Sequence, residues 1–178
     1  MSLQSLVITT MLPVYIPLQF INKSSNSQEI PITWQIPTII LLTLIFHKKV
    51  VFSAFTIYII LGLFIAPVFH EGGSIGYLLT PNFGYLIGVY PLITIIDNFN
   101  SRNKINIVNF LKNGFIGISA MHLTGILYSF LQIIFYSKLN IFLYYLGKYS
   151  VGKIGYHFLM LLPLLILIKP IKYLKKSK

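Results

Sequence analysis

The chain has 178 residues, 56% apolar and only 10% charged, with 14 Lys and Arg against 3 acids for a net charge of +11. A soluble domain carries about 25% charged residues, so this composition excludes an ordinary soluble protein and describes one integral membrane domain over residues 1–178. With no cysteine, disulfides, thiolate nucleophiles and cysteine metal sites are excluded, and the bases lie between apolar runs, where they set topology and leave no basic surface for nucleic acid.

A spanning helix needs about 20 mostly apolar residues. In chain order the candidate spans are 6–21, 36–46, 50–69, 83–99, 110–135 and 154–168. The opening MSLQSLVITTMLPVYIPLQF lacks the basic start and small-residue cleavage site of a signal peptide. It is expected to stay as the first span, bent at Pro13 and Pro17. The second span is short and carries Pro37 near its start, so it tilts or crosses only in part; Pro163 predicts a kink in the sixth. The expected fold is an all-α bundle of six transmembrane helices.

Basic residues orient it. With the N-terminus in the cytoplasm, ten Lys and Arg fall inside (Lys48, Lys49, Arg102, Lys104, Lys112 and the C-terminal five) and four outside (Lys23, Lys138, Lys148 and Lys153). That asymmetry follows the positive-inside rule. Both termini are then cytoplasmic in a multi-pass protein of the cell membrane, and loops 22–33 and 70–82 share the outer face.

The first of those loops ends in IPITWQ. Trp34, the single tryptophan, is either a membrane-interface residue or an aromatic wall for a flat ligand, with Gln35 beside it offering a donor and an acceptor. The second belongs to the stretch 66–88, APVFHEGGSIGYLLTPNFGYLIG, which holds five of the twelve glycines and Glu71, one of only three acids. Glycine and proline disfavour a spanning helix, so a re-entrant or capping outer loop is expected. Gly72 and Gly73 could bring backbone amides close to a ligand, with Tyr77, Asn82 and Tyr85 supplying rings and polar groups; the alternative is a turn that merely closes the bundle.

Gly84-x-x-x-Gly88, and Gly114, Gly117 and Gly125 in the fifth span, have the spacing of close helix contacts. Four histidines are too scattered for a metal signature. His47 beside two lysines reads as a helix end. His122 and His157 lie within spans, where each either faces the bundle interior in a functional role or is neutral and bonded to a backbone carbonyl. Asp97 reads as a cap or loop charge. No HExxH, GxSxG, paired carboxylates or P-loop is present, so neither an enzyme nor a cofactor is expected, and the chain cannot energise transport by itself through ATP. No internal repeat supports an inverted-repeat transporter.

Taken together, IPITWQ at 30–35, LGLFIAPVFHEGG at 61–73 and GYLLTPNFGYLIG at 76–88 resemble the BioY family, whose pattern runs roughly VPITLQ, LGxxGLPVFxGG, GPTGGYLxG in the same order. HLTGILY in the fifth span resembles the cyanobacterial and plastid-type members in particular. The resemblance implies a biotin-binding S component of an energy-coupling-factor (ECF) transporter. It implies biotin and an energising module of one membrane scaffold subunit and two ATPases as partners, besides the lipid bilayer. Where the family often has an acid and a base in the last helix, this chain has Leu162 and Leu165, and Thr9, Pro13 and Pro17 stand in place of the usual small residues of the first helix. The site expected from the resemblance has Trp34 and Tyr85 as aromatic walls, with Gln35 beside Trp34. Asn82, Tyr77 and the Gly72–Gly73 backbone would hold the ureido ring, and His157, His122 or backbone amides the carboxylate. Three other readings stay open: an S component for another small vitamin or heterocycle, a structural subunit without a ligand, and an intramembrane enzyme using His122 and His157 with a metal.

Overall fold

The computed structural model describes residues 2–16, 28–70, 72–102, 106–136 and 139–176. Pro17, Lys23, most of the polar run at 22–27 and Glu71 lie outside the described residues.

Helix α1 (Ser2–Met11) is short because Pro13 has no N–H to carry the helical ladder onward. The backbone becomes extended instead, and β1 (Pro13–Ile16) pairs antiparallel with β2 (Gln28–Thr33), with Val14 opposite Ile30 and an irregularity beside Pro13. Val14 and Ile32 bury one face of this hairpin against Met160. The expected helix over 6–21 is thereby corrected: proline ends it at Met11, and the fold is mostly α with one β-hairpin.

Trp34 closes the hairpin, its N–H donating to Leu12 O and its carbonyl accepting from Thr38 N, and starts α2 (Gln35–Ile45). The α3 helix (Lys48–Phe64) is capped by His47, whose Nδ1 accepts from Lys49 N, as the sequence suggested. It stops five residues short of the expected boundary. Residues 65–70 and 72–80 then form the capping loop: Phe69 and Gly72 exchange both backbone hydrogen bonds at 3.0 Å, and Ile75–Leu79 makes a 3-10 turn. Pro81, favoured at a first helical position, opens α4 (Pro81–Ile87), and α5 (Val89–Arg102) follows across Gly88.

The long α6 (Ile107–Tyr136) is followed by α7 (Leu139–Tyr145), a π-helical turn (Leu146–Val151), α8 (Gly152–Leu159) and α9 (Leu161–Lys176). The break at Met160 has a local cause: Pro163 lacks the N–H that Leu159 O would accept. Among the described residues two stretches, Ile107–Gln132 and Phe142–Ile168, are long and apolar enough to cross a membrane, and Gln35–Ile45 is a shorter apolar helix. At 1.5 Å per residue, ten-residue α1 reaches only about 15 Å, so length alone does not give six crossings.

The core runs through Phe55 and Tyr58 of α3, Ile39 and Ile40 of α2, Leu92 and Ile93 of α5, and Ile118 and Met121 of α6. The outward face of α6 is as apolar as the inward one, with Phe115, Leu123, Leu127 and Phe130 all about half exposed, the pattern of a helix whose solvent is not water. Glycines let α6 approach α4 and α5. A Cβ on Gly84 would collide with Tyr128, one on Gly125 with the Tyr85 ring, and one on Gly117 would lie 2.7 Å from Leu92.

The tightest of these contacts is testable. At Gly88 a Cβ would sit 2.5 Å from Met121 O and 3.0 Å from its Cα. Alanine gains about 1 kcal/mol of helix propensity, but a clash with backbone cannot be relieved by a rotamer, and overpacking costs about 1–3 kcal/mol. Gly88→Ala is therefore expected to lower the melting temperature in detergent. Gly155→Ala, whose Cβ would meet nothing within 4 Å, is expected to leave it unchanged or raise it. Circular-dichroism melts of the two variants check both signs.

Candidate functional site

One cavity collects residues from nearly every element. The space between its walls is about 700 Å³, the open mouth included. Along α4, Asn82, Tyr85, Leu86 and then Val89 of α5 follow at helical spacing, so a single helix face enters the wall. Ile32 and Thr33 come from β2, Gln35 and Ile36 from the start of α2, and Tyr58 from α3. The capping loop contributes Phe69, His70 and Tyr77, and α8 contributes Lys153 and His157 one turn apart.

The loop is held rigidly. Gly72 has φ +117°, which an L side chain rarely adopts, and a Cβ on Gly73 would lie 2.6 Å from both Gly62 O and Pro67 Cα. Ser74 N donates to Gly62 O at 2.9 Å, and Ser74 itself sits at φ 101°. Tyr128 Oη donates to Leu78 O, tying the loop to α6. Phe69 lies between Tyr58 (5.4 Å between centroids) and Tyr77 (4.6 Å), so three rings form one aromatic wall. Thr10 donates to the Tyr58 hydroxyl, which donates to Val68 O, joining α1, α3 and the loop.

On the opposite bank, Tyr85 Oη lies 2.6 Å from Ser150 Oγ, Ser150 Oγ 3.3 Å from His122 Nδ1, and His122 Nε2 3.0 Å from His157 Nδ1. The π-turn makes this possible, because its extra width aims both Tyr149 and Ser150 inward. Tyr149 stacks on Tyr145 and takes the Nζ of Lys148 and Lys153 at 4.8 and 5.0 Å from its ring centroid. Within the wall, Gln35 is 8% exposed and its Nε2 is buried beside the Tyr58 hydroxyl with no hydrogen bond of normal geometry. Such a donor costs about 1–3 kcal/mol until something accepts from it.

Of the residues expected from the sequence, Gln35, Tyr77, Asn82, Tyr85 and His157 line the cavity. His122 stands behind His157, bonded to side chains rather than to a backbone carbonyl. Gly72 and Gly73 are not on the wall: Gly72 N donates to Phe69 O, and Gly73 packs against Gly62 O and Pro67 Cα, so both shape the loop. Trp34 is also off the wall and 37% exposed, its backbone joining the hairpin to α2. Tyr58, Met121, Tyr149, Ser150 and Lys153 were not anticipated. Lys153 had been counted with the outer-loop bases; its place four residues before His157, one helical turn, was the signal available. Among the described residues no group of three His, Cys, Asp or Glu could hold a metal ion.

Residues 2–164 match the BioY family. A protein of Lysinibacillus sphaericus, described as a probable biotin transporter BioY, is 31% identical over 108 residues, 58% of this chain and 54% of that protein. The chain thus aligns with about half the length of this curated relative. A crystal structure of the S-component for biotin from an ECF-type ABC transporter shares the fold with a TM-score of 0.59 at 18% identity, over 98% of this chain and 87% of that one.

The buried amide gives a direct test. Gln35→Met keeps the length of the side chain and removes the buried donor, so the melting temperature of ligand-free protein is expected to rise. A drop would show that the Gln35 amide is satisfied within the fold.

Proposed function

The chain belongs to the BioY family, and from that premise we propose that it is the biotin-binding S component of an ECF-type transporter, taking biotin up across the cytoplasmic membrane. The observation that carries the reading is the cavity wall, where a buried amide donor with no hydrogen bond of normal geometry, Gln35 Nε2, accompanies a lysine on a walled, partly aromatic surface. Biotin has matching parts: a flat ureido ring with one strong acceptor, an apolar body and a carboxylate.

In this reading Gln35 Nε2 donates to the ureido oxygen, and Asn82, with a donor and an acceptor on one amide, meets a ureido N–H. Tyr77, Phe69 and Tyr85 cover the ring faces. Lys153 meets the valerate carboxylate. It takes the part that the last helix cannot play, because Leu162 and Leu165 stand there and α9 contributes nothing to the cavity wall. His157 supplies a further ring nitrogen. These groups bind and orient; none is arranged to break a bond, and the protein acts as a binding subunit rather than an enzyme.

The proposal extends to the membrane. Six crossings with both termini cytoplasmic put ten basic residues inside and four outside, and they set the cavity mouth on the outer side, where a vitamin arrives. The chain has no phosphate-binding loop, so ATP is hydrolysed by a partner, the ECF energising module of a membrane scaffold subunit and two ATPases.

Purified protein is expected to melt higher with biotin and not with other vitamins. A ligand that binds only the folded state adds about 2.7 kcal/mol at a hundredfold excess over its Kd. A rise with a different vitamin alone would change the substrate, and no rise with any would remove the binding role. Lys153→Met is expected to weaken biotin by roughly ten- to a hundredfold, the worth of a charged hydrogen bond of about 1.5–3 kcal/mol, and to leave the affinity for biotin methyl ester unchanged. Equal losses for acid and ester would remove the carboxylate role.

A further inference from the structure

The four groups that join Tyr85 to His157 form an unbroken chain that begins and ends on the cavity wall. Its inner members are buried, with Ser150 4% and His122 2% exposed. A serine hydroxyl has one proton and two lone pairs, so when its proton is used within the chain Ser150 donates to either Tyr85 or His122 and accepts from the other. A neutral imidazole likewise has one N–H and one lone pair. In one arrangement, Tyr85 donates to Ser150, Ser150 to His122 Nδ1, and His122 Nε2–H to His157 Nδ1. His157 then carries its proton on Nε2, a donor for the cavity, while the Tyr85 oxygen remains an acceptor. In the other, every bond is reversed: Tyr85 turns its O–H to the cavity and His157 Nε2 becomes the acceptor. These are the two arrangements that keep all three bonds and also use the Ser150 proton within the chain; Ser150 accepting from both neighbours would leave its buried O–H without a partner in the chain.

We propose that Tyr85, Ser150, His122 and His157 are one polarity-coupled unit that offers the ligand one donor and one acceptor from its two ends, selecting a neutral heterocycle with adjoining N–H and C=O groups over an all-donor cation. The proposal rests on the biotin reading for its ligand and on this geometry for the coupling. His122 is thus a positioning residue, touching no ligand and setting which proton His157 presents. Coupling also predicts a signature that packing alone would not produce: in both arrangements the two rings carry their protons on the same kind of nitrogen, both on Nε2 or both on Nδ1.

Two measurements test it. Side-chain nitrogen NMR of histidine-labelled, ligand-free protein in detergent is expected to find His122 and His157 in the same tautomer. Opposite tautomers, or a doubly protonated ring, would overturn the unit. Affinities for biotin and for 2-iminobiotin, whose ureido oxygen is replaced by a protonated nitrogen, are then compared in the wild type and in Ser150→Ala, which cuts the chain and frees Tyr85 to donate or accept alone. The preference for biotin is expected to fall about tenfold in the variant; an unchanged preference would overturn the selectivity. If the wild type binds neither compound, the biotin reading fails and the selectivity falls with it, while matched tautomers would still establish the His122–His157 hydrogen bond at the core of the unit.

Discussion

The close approach of α4 to α6 is the contact on which the rest of the structure depends. Between two apolar helices in lipid there is little hydrophobic drive, so association rests on van der Waals packing at short range. Here glycine makes that range available. Gly88 meets the Met121 backbone, Gly84 lies beneath Tyr128, and Gly125 lies beneath the Tyr85 ring. The two tyrosines seated by these glycines are the ones that reach outward from the contact: Tyr128 holds Leu78 O of the capping loop, and Tyr85 reaches Ser150. A helix contact thereby sets both the lid and one bank of the cavity.

The other bank is built by proline and by backbone hydrogen bonds. Pro13 stops α1, and the released chain pairs as a hairpin whose second strand delivers Ile32 and Thr33 to the cavity and runs into Gln35. Pro67 and the glycines after it stop α3 early and fold the loop onto Gly62. Irregular backbone at membrane depth needs its polar groups satisfied or facing a cavity. Phe69, Gly72, Ser74 and Tyr77 all have their N–H groups bonded within the loop or to α3. Among the described side chains, two buried polar atoms lack a hydrogen bond of normal geometry, Asn113 Oδ1 and Gln35 Nε2, and of these Gln35 stands on the cavity wall.

The motifs at 30–88 supply much of the cavity wall, and α9 supplies none of it. A cation and a histidine on α8 stand in the cavity wall, preceded by a π-turn that aims Tyr149 and Ser150 at it. Charge on the wall comes from Lys153 of α8, and beside it lies a hydrogen-bond chain with no carboxylate among its members. The same wall can thus meet an acidic ligand at Lys153 and a neutral one at Tyr85 and His157.

Much of this was legible in the chain itself. Composition established lipid as the solvent, because 56% apolar and 10% charged residues leave no polar surface for water. Proline and glycine spacing marked the capping loop and the helix contacts, since these residues act through local backbone geometry. The motifs of 30–88 singled out Gln35, Tyr77, Asn82 and Tyr85, which the fold does bring to one cavity. Tertiary structure alone decided the rest. Trp34, Gly72 and Gly73 sit in the right motif and off the wall, because a motif records that a residue matters without saying whether it touches the ligand or shapes the backbone. The hairpin at Pro13, the π-turn and the inward turn of Lys153 depend on partners far along the chain. The pairing of His122 with His157, 35 residues apart in sequence, exists only once α6 and α8 are packed side by side.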